Sequence, residues 1–396
     1  MTEGTHKTLD LDAYAFNGDD HHYMALALRL AARGLYTTHP NPRVGCVIVN
    51  DNEIVGDGWH MKAGQPHAEI AALAKAGERA RGGTVYVTLE PCSHHGRTPP
   101  CADALIKAGV GRVICATIDP NPEVNGAGIA RLEAAGIEVQ SGLLATQAEA
   151  LNPGFFSRIR RQRPYVRIKM AMSLDGRTAL SNDVSQWISS KSARIDVQRW
   201  RARSAAIMTG INTVLADDPA LTLRMESLTL SGEIAPGQSD MLRNPLRVVL
   251  DSQLNIPLNA RLLRLPGEVL IVSSVDDAGK RDALCSDNVQ VITLPKNTDG
   301  RPSLHDLMNV LAEARINEVL VESGHVLAGA LLRSQLVDEL IVYVSPSVLG
   351  DSAKGLFEMP VLSDMQARTG LEFTDIRSIG PDLRILARPK YSSEET

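Results

Sequence analysis

The amino-acid sequence predicts an α/β protein made of two domains, each with its own sheet. The chain has 396 residues, and a domain usually takes about 100–200 residues, so two domains are expected. Short apolar runs alternate with helical patterns, which is typical of a parallel or mixed sheet covered by helices. The alternation stops at residues 145–163 and then resumes. We therefore expect a first domain over 1–146, a linker over 147–163 and a second domain over 164–396.

The first domain is predicted to begin with an amphipathic helix, because Met24, Leu28 and Ala31 share one stripe. A hairpin follows, since Asn50-Asp51-Asn52 separates two apolar runs. The predicted helices are His21–Gly34, Ala68–Ala80, Ala102–Ala108 and Ala127–Ala135. The predicted strands are Val44–Val49, Glu53–Gly58, Thr84–Leu89, Arg112–Ile118 and Ile137–Gln140.

The second domain repeats this alternation over a longer stretch of chain. The predicted strands are Tyr165–Met172, Ala205–Thr209, Leu246–Asp251, Glu268–Val272, Val289–Leu294, Glu318–Glu322 and Asp338–Val344. The predicted helices are Ser192–Arg203, Ser303–Ala314 and Val326–Ser334. Residues 226–243 contain Ser, Gly, Pro and Gln without any period, which predicts a surface loop.

The composition excludes several classes of protein. The net charge of −5 disfavours a broad basic surface for duplex DNA. The sequence has no run of about 18 apolar residues, so a membrane-spanning helix is not expected. The first residues are polar and contain no apolar signal core, which favours a cytoplasmic location. The sequence has five cysteines, a low and odd number that does not suggest a disulfide framework.

Four arginines lie in the predicted linker, at positions 158, 160, 161 and 163. Such a cluster is compatible with a small nucleic-acid patch or with the solvated face of a linker helix. We favour the solvated helix, because the cluster is short.

A set of potential zinc ligands stands out in the first domain. His67-Ala68-Glu69 opens a predicted helix, Cys92 follows a predicted strand, and Cys101 opens another helix. One imidazole and two thiolates suit Zn²⁺, and three protein ligands leave a tetrahedral position open, as in catalytic zinc sites. Helix N-termini favour ionised thiols. We therefore predict one Zn²⁺ per chain on His67, Cys92 and Cys101, with Glu69 as the catalytic residue that transfers protons.

The other three cysteines have no such setting. Cys46 and Cys115 lie inside apolar strands and are predicted to be core residues. Cys285 has no partner motif and is left without a predicted role.

The spacing of the zinc residues is similar to that of zinc nucleobase deaminases, which carry H-x-E followed by P-C-x-x-C. Here the second half is stretched, and the region resembles the deaminase half of the bifunctional RibD family of riboflavin biosynthesis. Further matching segments are Thr38–Gly45, Gly58-Trp59-His60, Asp119–Pro122 and Asn125-Gly126 with Gly128. The resemblance implies a cytidine-deaminase-like, three-layer α/β/α fold.

The resemblance also implies that Asn41, His60, His94 and Arg97 contact a pyrimidine ribose phosphate. The chemistry agrees in part, since an Asn amide can pair with a pyrimidine edge and Arg suits phosphate. From the residues alone, Asn41 is equally well explained as a turn residue between two prolines. His94 would otherwise be a solvated loop residue.

Segments of the second domain resemble the reductase half of the same family, which has a dihydrofolate-reductase-like α/β fold and uses NADPH. They are Lys169–Gly176, Ser185–Ile188, Thr213–Pro219, Leu221–Arg224 and Val321–Gly329. The resemblance implies that the cofactor contacts Ala171, Trp187, Thr213, Asp217, Ser252, Gly324, His325, Val326, Leu327, Ala328, Gly329 and Ala330. It implies that the substrate contacts Lys169, Ser185, Arg201, Leu221, Arg224 and Glu322.

The residues themselves leave other interpretations of this domain open. The pattern around Gly324 predicts a strand, a turn and a helix start, which presents free N–H groups to an anion. From the spacing alone, a helix cap at Ser323 would be the commoner explanation. Trp187 could be a packing residue, Asp217 a helix cap and Leu221 a core residue. Ala171 stands where the family often has Gly, so its methyl group could alter the fit of the nicotinamide.

Taken with the resemblance, the sequence predicts a bifunctional enzyme of riboflavin biosynthesis. The first domain would hydrolytically deaminate 2,5-diamino-6-(5-phosphoribosylamino)pyrimidin-4(3H)-one. The second would use NADPH to reduce the ribose of 5-amino-6-(5-phosphoribosylamino)uracil to a ribityl chain. We expect small-molecule substrates, no nucleic-acid or membrane partner, and a homo-oligomer, either a dimer or a tetramer.

Two other functions are compatible with parts of the sequence. A nucleic-acid base deaminase with an accessory domain is disfavoured by the net charge and by the lack of interleaved basic and aromatic residues. A non-catalytic module stabilised by zinc is disfavoured because a structural site needs a fourth ligand.

Overall fold

The computed structural model describes residues 16–93, 99–122, 124–182, 184–230 and 239–391. The chain forms two compact units, Met1–Phe156 and Ser157–Thr396. The division falls inside residues 147–163, where two short helices follow one another. Among the described residues, every helix is too short or too polar to span a lipid bilayer.

The first unit is built on a mixed sheet of five strands in the order β2-β1-β3-β4-β5. Its strands are β1 (Gly45–Asn50), β2 (Glu53–Trp59), β3 (Thr84–Val87), β4 (Arg112–Cys115) and β5 (Glu138–Ser141). Its helices are α1 (Gly18–Ala32), α2 (Ala68–Ala76), α3 (Cys101–Ala108), α4 (Ala127–Ala134) and α5 (Ala145–Leu151). Strand β1 is antiparallel to β2 and β3, whereas β3, β4 and β5 are parallel.

Two separate apolar clusters show that helices cover both faces of this sheet. One cluster joins the sheet to α2, α3 and α4 through residues such as Ala72, Leu105 and Leu132. The other joins the opposite face to α1 and α5 through Met24 and Ala148. The expected three-layer α/β/α arrangement is therefore confirmed.

Helix α1 begins at Gly18, three residues earlier than the apolar pattern predicts. The Asn17 side chain accepts a hydrogen bond from the Asp20 amide at 2.8 Å, and the Asp20 carboxylate accepts one from the Asn17 amide at 3.0 Å. This reciprocal cap begins the helix in a polar segment, which hydrophobic periodicity does not detect.

A close approach between α2 and β2 fixes the start of α2, which carries Glu69. A Cβ atom added at Gly58 would lie 2.5 Å from the Ala68 carbonyl oxygen and 2.7 Å from the Ala72 nitrogen. Only glycine therefore lets the helix backbone lie directly on the strand at this position.

The second unit contains a nine-stranded sheet in the order β11-β10-β9-β8-β12-β6-β13-β16-β15 and a two-stranded pair, β14-β7. Its strands are β6 (Tyr165–Ser173), β7 (Arg177–Ala179), β8 (Ala206–Gly210), β9 (Leu246–Leu250), β10 (Val269–Ser273), β11 (Val289–Thr293), β12 (Glu318–Glu322), β13 (Glu339–Ser345), β14 (Lys354–Gly355), β15 (Gly370–Ile379) and β16 (Asp382–Lys390). In the large sheet, only the pairings of β16 with β13 and β15 are antiparallel.

The helices of the second unit lie between these strands along the chain. They are α7 (Lys191–Arg203), α8 (Ile211–Asp217), α9 (Met225–Leu230), α10 (Arg261–Arg264), α11 (Ala278–Leu284), α12 (Leu304–Glu313) and α13 (His325–Arg333), while α6 (Pro153–Arg161) spans the division between the units. The predicted loop over 226–243 was wrong at its start, because residues 226–230 belong to α9 and Leu228 is fully buried. Residues 231–238 lie outside the described part of the chain.

The arginines of the predicted linker are structural. Arg161 and Arg163 both form ion pairs with Asp338 at 2.8 Å, and the Arg158 Nε atom donates to the Asn317 side chain at 2.7 Å. The predicted helix is present as residues 153–161, and Arg160 and Arg161 are exposed, but the cluster as a whole is not a free solvated face. Arg158, Arg161 and Arg163 hold residues 158–163 to the strands of the second unit.

Candidate active sites

The three predicted zinc ligands lie together in the first unit. Their ligand atoms, one from each of His67, Cys92 and Cys101, are all within 4.8 Å of one another. The His67 Nδ1 atom lies 3.6 Å from the Cys92 sulfur and 3.3 Å from the Cys101 sulfur. His67 immediately precedes α2 and Cys101 begins α3, so two helix starts converge on the cluster.

The environment of the two thiols favours a thiolate. A hydrogen bond from Cys101 is the largest influence on Cys92 and, with His67, lowers the pKa of Cys92 to about 4. The pKa of Cys101 is raised, first by its hydrogen bond with Cys92 and then by burial. The hydrogen bond with Cys92 also raises the pKa of His67. The three groups therefore influence one another's protonation, as expected for donor atoms close enough to bind one cation.

Glu69 is buried directly beside this cluster, with 3% of its surface exposed. It lies in the first turn of α2, two residues after His67. Burial raises the pKa of its carboxyl group to about 7. A carboxyl group with this pKa can both accept and donate a proton near neutral pH.

Asn41 and His60 form a hydrogen-bonded pair next to His67. The His60 Nδ1 atom lies 3.1 Å from the Pro66 carbonyl oxygen, so it must carry the proton and donate. The His60 Nε2 atom is then an acceptor, and the Asn41 Nδ2 atom donates to it at 3.1 Å. Burial lowers the pKa of His60, which keeps its ring neutral. The Asn41 Oδ1 atom is thereby oriented away from His60.

Two further predicted substrate contacts, His94 and Arg97, lie outside the described residues. Cys46 and Cys115 are fully buried, which confirms their prediction as core residues. Cys285 is exposed and ends α11.

Sequence reasoning missed Glu90, a buried carboxylate two residues before Cys92. Its two oxygens accept hydrogen bonds from four backbone amides, those of Asp119, Gly126, Gly128 and Ile129, at 2.9–3.3 Å. Glu90 thus ties the segment that leads to Cys92 to the start of α4. The sequence feature that could have identified Glu90 is its position at the end of the apolar run 84–90. A carboxylate in a buried strand needs hydrogen-bond donors around it.

Replacing Glu90 by Gln should destabilise the first unit. The amide NH₂ group cannot accept hydrogen bonds, so two of the four backbone amides lose their acceptor, each at about 1–3 kcal/mol. We expect the free energy of unfolding to fall by roughly 2–6 kcal/mol, measured by denaturant titration. Glu133→Gln, an exposed change on α4, is the matched control. Equal stability of the two variants would contradict this role of Glu90.

The second unit has a cavity of about 1340 Å³ where β6, β8, β9 and β12 end. The predicted substrate residues that line it are Lys169, Ser185, Arg201, Leu221, Arg224 and Glu322. The predicted cofactor residues that line it are Ala171, Trp187, Thr213, Asp217, Ser252, Gly324, His325, Val326, Leu327 and Ala330. Ligands of open α/β sheets bind at this edge of the sheet.

Two of the predicted cofactor-binding residues between 324 and 330 face away from the cavity. Ala328 is fully buried in the main apolar core. A Cβ atom added at Gly329 would lie 2.2 Å from the Glu358 carbonyl oxygen, so this side of α13 packs against the backbone at Glu358. A helix turns by about 100° per residue, so consecutive residues cannot all face one cavity.

A strong ion pair lies at one end of the cavity. Arg201 donates to both oxygens of Glu322 at 2.6 and 2.9 Å and to the Thr222 carbonyl oxygen at 2.9 Å. Burial opposes ionisation of Glu322, but Arg201, together with Lys169 and Arg224, outweighs it and lowers the pKa of Glu322. Burial lowers the pKa of Lys169. This end of the cavity therefore holds three cations and one carboxylate.

Helix α13 begins at the cavity without a capping side chain. Its cap residue is Gly324, not Ser323, and within the described part of the chain no capping side chain accepts a hydrogen bond from its first turn. A Cβ atom added at Gly324 would meet no other atom within 4 Å. Open space therefore lies against the amide end of this helix, where uncapped N–H groups can meet a ligand.

The structure also bears on the alternatives for three other residues. Trp187 is 67% exposed, so it is not a packing residue of the core. Asp217 ends α8 and accepts a hydrogen bond from Gln186 at 2.8 Å. Leu221 is buried, as a core residue would be, and also lines the cavity.

Sequence reasoning named Arg201 on α7 but missed two other cavity residues of the same helix. Arg194 and Gln198 also line the cavity. Arg194 lies over the Trp187 ring at 4.5 Å, and Gln198 accepts a hydrogen bond from the Arg224 amide at 2.9 Å. The spacing of positions 194, 198 and 201 is that of one helix face, which could have revealed them.

Comparison with known families matches both units. Residues 17–117 match the family model described as the cytidine and deoxycytidylate deaminase zinc-binding region. Residues 164–385 match the model described as the RibD C-terminal domain. The two matches cover the zinc-ligand cluster and the cavity, respectively.

Individual proteins are similar to almost the whole chain. The riboflavin biosynthesis protein RibD of Escherichia coli is 50% identical, covering 92% of this chain and 98% of that protein. The Haemophilus influenzae RibD is 47% identical, covering 95% and 99%.

Solved structures agree with these relatives. Acinetobacter baumannii RibD has a TM-score of 0.85 at 42% identity, covering 94% of this chain and 99% of that chain. A diaminohydroxyphosphoribosylaminopyrimidine deaminase/5-amino-6-(5-phosphoribosylamino)uracil reductase from Thermotoga maritima has a TM-score of 0.80 at 31% identity, with the same coverage.

Proposed function

Because the chain belongs to the RibD family of riboflavin biosynthesis, we propose that the residues gathered in each unit carry out one of that family's two reactions. The chain is a bifunctional deaminase and reductase. The zinc-binding deaminase region indicates zinc, and the reductase region indicates a nicotinamide cofactor. The observation that carries the proposal is the meeting of His67, Cys92 and Cys101 beside the buried Glu69.

The first unit would deaminate 2,5-diamino-6-(5-phosphoribosylamino)pyrimidin-4(3H)-one, and the second would reduce the ribose of the resulting aminouracil. The name of the Thermotoga maritima relative supports both substrates. The proposal includes a homo-oligomer, a dimer or a tetramer. Exposed apolar side chains on β15, including Phe373 at 62% and Ile376 at 56%, support it.

The donor set of the first unit fits one zinc ion. An imidazole and two thiols whose ligand atoms lie within 4.8 Å of each other can surround a single tetrahedral cation. When bound, zinc would supply a water activated for attack at neutral pH. The low pKa of Cys92 and the convergence of two helix starts prepare the thiols to bind it.

Glu69 would move the protons of the deamination. Its carboxylate accepts a proton from the attacking water and donates one to the departing amino group, so that ammonia leaves neutral. Burial serves this role, because a solvated carboxyl group would stay ionised near neutral pH.

Asn41 would orient the pyrimidine. Its Nδ2 group is occupied by His60, so its Oδ1 atom is the natural acceptor for a ring N–H group. His60 would thus orient the Asn41 amide, in addition to the substrate contact proposed for His60 itself. His94 and Arg97 complete the proposed substrate contacts, with Arg97 at the phosphate.

The cavity of the second unit fits a dinucleotide and a sugar phosphate together. Its volume of about 1340 Å³ and the open space at Gly324 leave room for both. We assign the cofactor as NADPH, whose nicotinamide supplies the hydride. Lys169, Arg201 and Arg224 would hold the phosphorylated sugar, with Glu322 orienting Arg201. Ala171 also lines this cavity, and it packs against an apolar cluster that includes Trp200 and Tyr343.

A change of Cys92 to Ser tests the assignment of the two reactions to the two units. The variant should lose zinc and ammonia release, since a serine hydroxyl is a poor zinc ligand. It should still oxidise NADPH when the aminouracil phosphate is supplied, because the cavity lies in the other unit. Elemental analysis, ammonia release and NADPH absorbance measure the three quantities.

Cys285→Ser is the matched control, since Cys285 is exposed and distant in sequence from the ligands. It should keep zinc and both activities. Stoichiometric zinc in the Cys92→Ser protein would overturn the ligand assignment, and loss of NADPH oxidation would overturn the division of labour.

A further inference from the structure

The strand order keeps the two ends of the second unit's cavity apart. Lys169 and Glu322 pair in register on β6 and β12, whereas Ser252 follows β9, three strands away from β6. With strands about 4.8 Å apart, the separation is roughly 14 Å. If the nicotinamide meets the sugar beside Lys169, a cofactor that also reaches Ser252 must place its adenosine at the β9 end. We call the part of the cavity beside Ser252 the adenosine end.

Arg301 lies at the adenosine end on a turn that is tied to Ser252. The Asn297 side chain accepts hydrogen bonds from the amides of Asp299 and Arg301, both at 2.9 Å. The Ser274 hydroxyl lies 3.0 Å from the Gly300 carbonyl oxygen and 3.1 Å from that of Ser252. The backbone that carries Arg301 is therefore fixed relative to the strand end that carries Ser252.

Arg261 is fixed by an independent set of contacts. The Asp218 carboxylate accepts a hydrogen bond from the Arg261 amide at 2.7 Å. The fully buried Arg247 donates to the carbonyl oxygens of Leu262 at 2.7 Å and Leu265 at 3.0 Å. Helix α10, which begins with Arg261, is thus held at both ends.

Arg261 and Arg301 line the cavity, and among the described residues neither guanidinium group is paired with a carboxylate. At the opposite end of the cavity, Arg201 forms an ion pair with Glu322. The acidic residues near the adenosine end are Asp217, Asp218 and Asp299. The Asp217 side chain accepts a hydrogen bond from the Gln186 side chain, and the Asp218 side chain accepts one from the Arg261 backbone amide. Among the described residues, the guanidinium N–H groups of Arg261 and Arg301 therefore stay available for an anionic ligand.

We propose that Arg261 and Arg301 bind the 2′-phosphate of the cofactor's adenosine ribose and make the enzyme select NADPH over NADH. The proposal rests on the proposed reductase function. A guanidinium group binds phosphate through paired N–H groups, and arginine near the ribose accommodates this phosphate in other dinucleotide sites. Fixed backbones reduce the cost of ordering both side chains when the phosphate binds.

The test is the dissociation constants of NADPH and NADH, measured by fluorescence titration of the full-length chain. In the double variant Arg261→Gln with Arg301→Gln, the constant for NADPH should rise at least tenfold, about 1.4 kcal/mol. The constant for NADH should stay within about twofold, because NADH lacks the phosphate. Adenosine 2′,5′-bisphosphate should displace NADPH from the wild type and lose affinity for the double variant.

Matched controls are Arg264→Gln on α10 and Lys296→Gln before the turn, which are exposed and do not line the cavity. Both should bind NADPH like the wild type. If the double variant loses NADPH and NADH affinity in parallel, or loses neither, the arginine assignment is overturned while the reductase function stands. A wild type that binds neither dinucleotide would overturn the reductase function itself, and the arginine assignment with it.

Discussion

Replacing Glu69 by Gln is expected to slow ammonia release by about 10²–10⁴-fold while the protein keeps its zinc. Gln has nearly the shape of Glu but cannot accept and return a proton. The buried position of Glu69 makes a neutral side chain easy to accommodate, since burial already raises the pKa of the carboxyl group to about 7. The loss should therefore appear in kcat rather than in the free energy of unfolding.

Glu78→Gln provides the control, because Glu78 is exposed just after the same helix. It should leave ammonia release unchanged. Zinc content by elemental analysis must match the wild type in both variants. Deamination by Glu69→Gln within a few-fold of the wild-type rate would remove Glu69 from proton transfer.

Replacing Gly324 by Val is expected to raise the dissociation constant of NADPH at least tenfold. The new side chain would meet no protein atom with its Cβ, so it occupies space that we assign to the cofactor. Because a misplacement of about 1 Å can cost roughly 10²-fold in rate, we expect kcat/KM of the reductase to fall by roughly that factor. Ammonia release should not change.

Two other glycines of the second unit provide control variants for Gly324→Val. Gly279→Val adds the same side chain to the exposed helix α11 and should leave NADPH binding intact. Gly329→Val would drive a Cβ atom to 2.2 Å from the Glu358 carbonyl oxygen and should lower the melting temperature instead. Unaltered NADPH affinity in Gly324→Val would exclude the start of α13 from the cofactor site.

Periodicity predicted the architecture well, and residue type and spacing predicted which three side chains meet in the first unit. The strand over Glu318–Glu322 has the predicted bounds, and the spacing of His67, Cys92 and Cys101 led to ligand atoms that meet in the structure. These features are local: each depends on an apolar run or on a residue type placed next to a helix start.

The missed features depend on contacts that are distant in sequence. Strand β16 was not predicted because Arg384 interrupts its apolar pattern. Ion pairs with Asp196 at 2.9 Å and with Asp375 at 3.1 Å make that charge acceptable in the interior. Glu90 was missed for the same reason, since its four amide partners lie 29–39 residues further along the chain. A single sequence does not display such pairings.

The order of strands in the two sheets has a consequence for synthesis on the ribosome. In the first unit, every strand pairing joins residues between 45 and 141, and the three zinc ligands lie within residues 67–101. In the second unit, β6 pairs with β12 and β13, whose residues are synthesised about 150 and 170 residues later. At about 5–20 residues per second, β6 remains without its neighbours for roughly 8–30 s. The nascent chain can therefore complete its metal-binding half, and load it, well before its dinucleotide-binding half has a sheet.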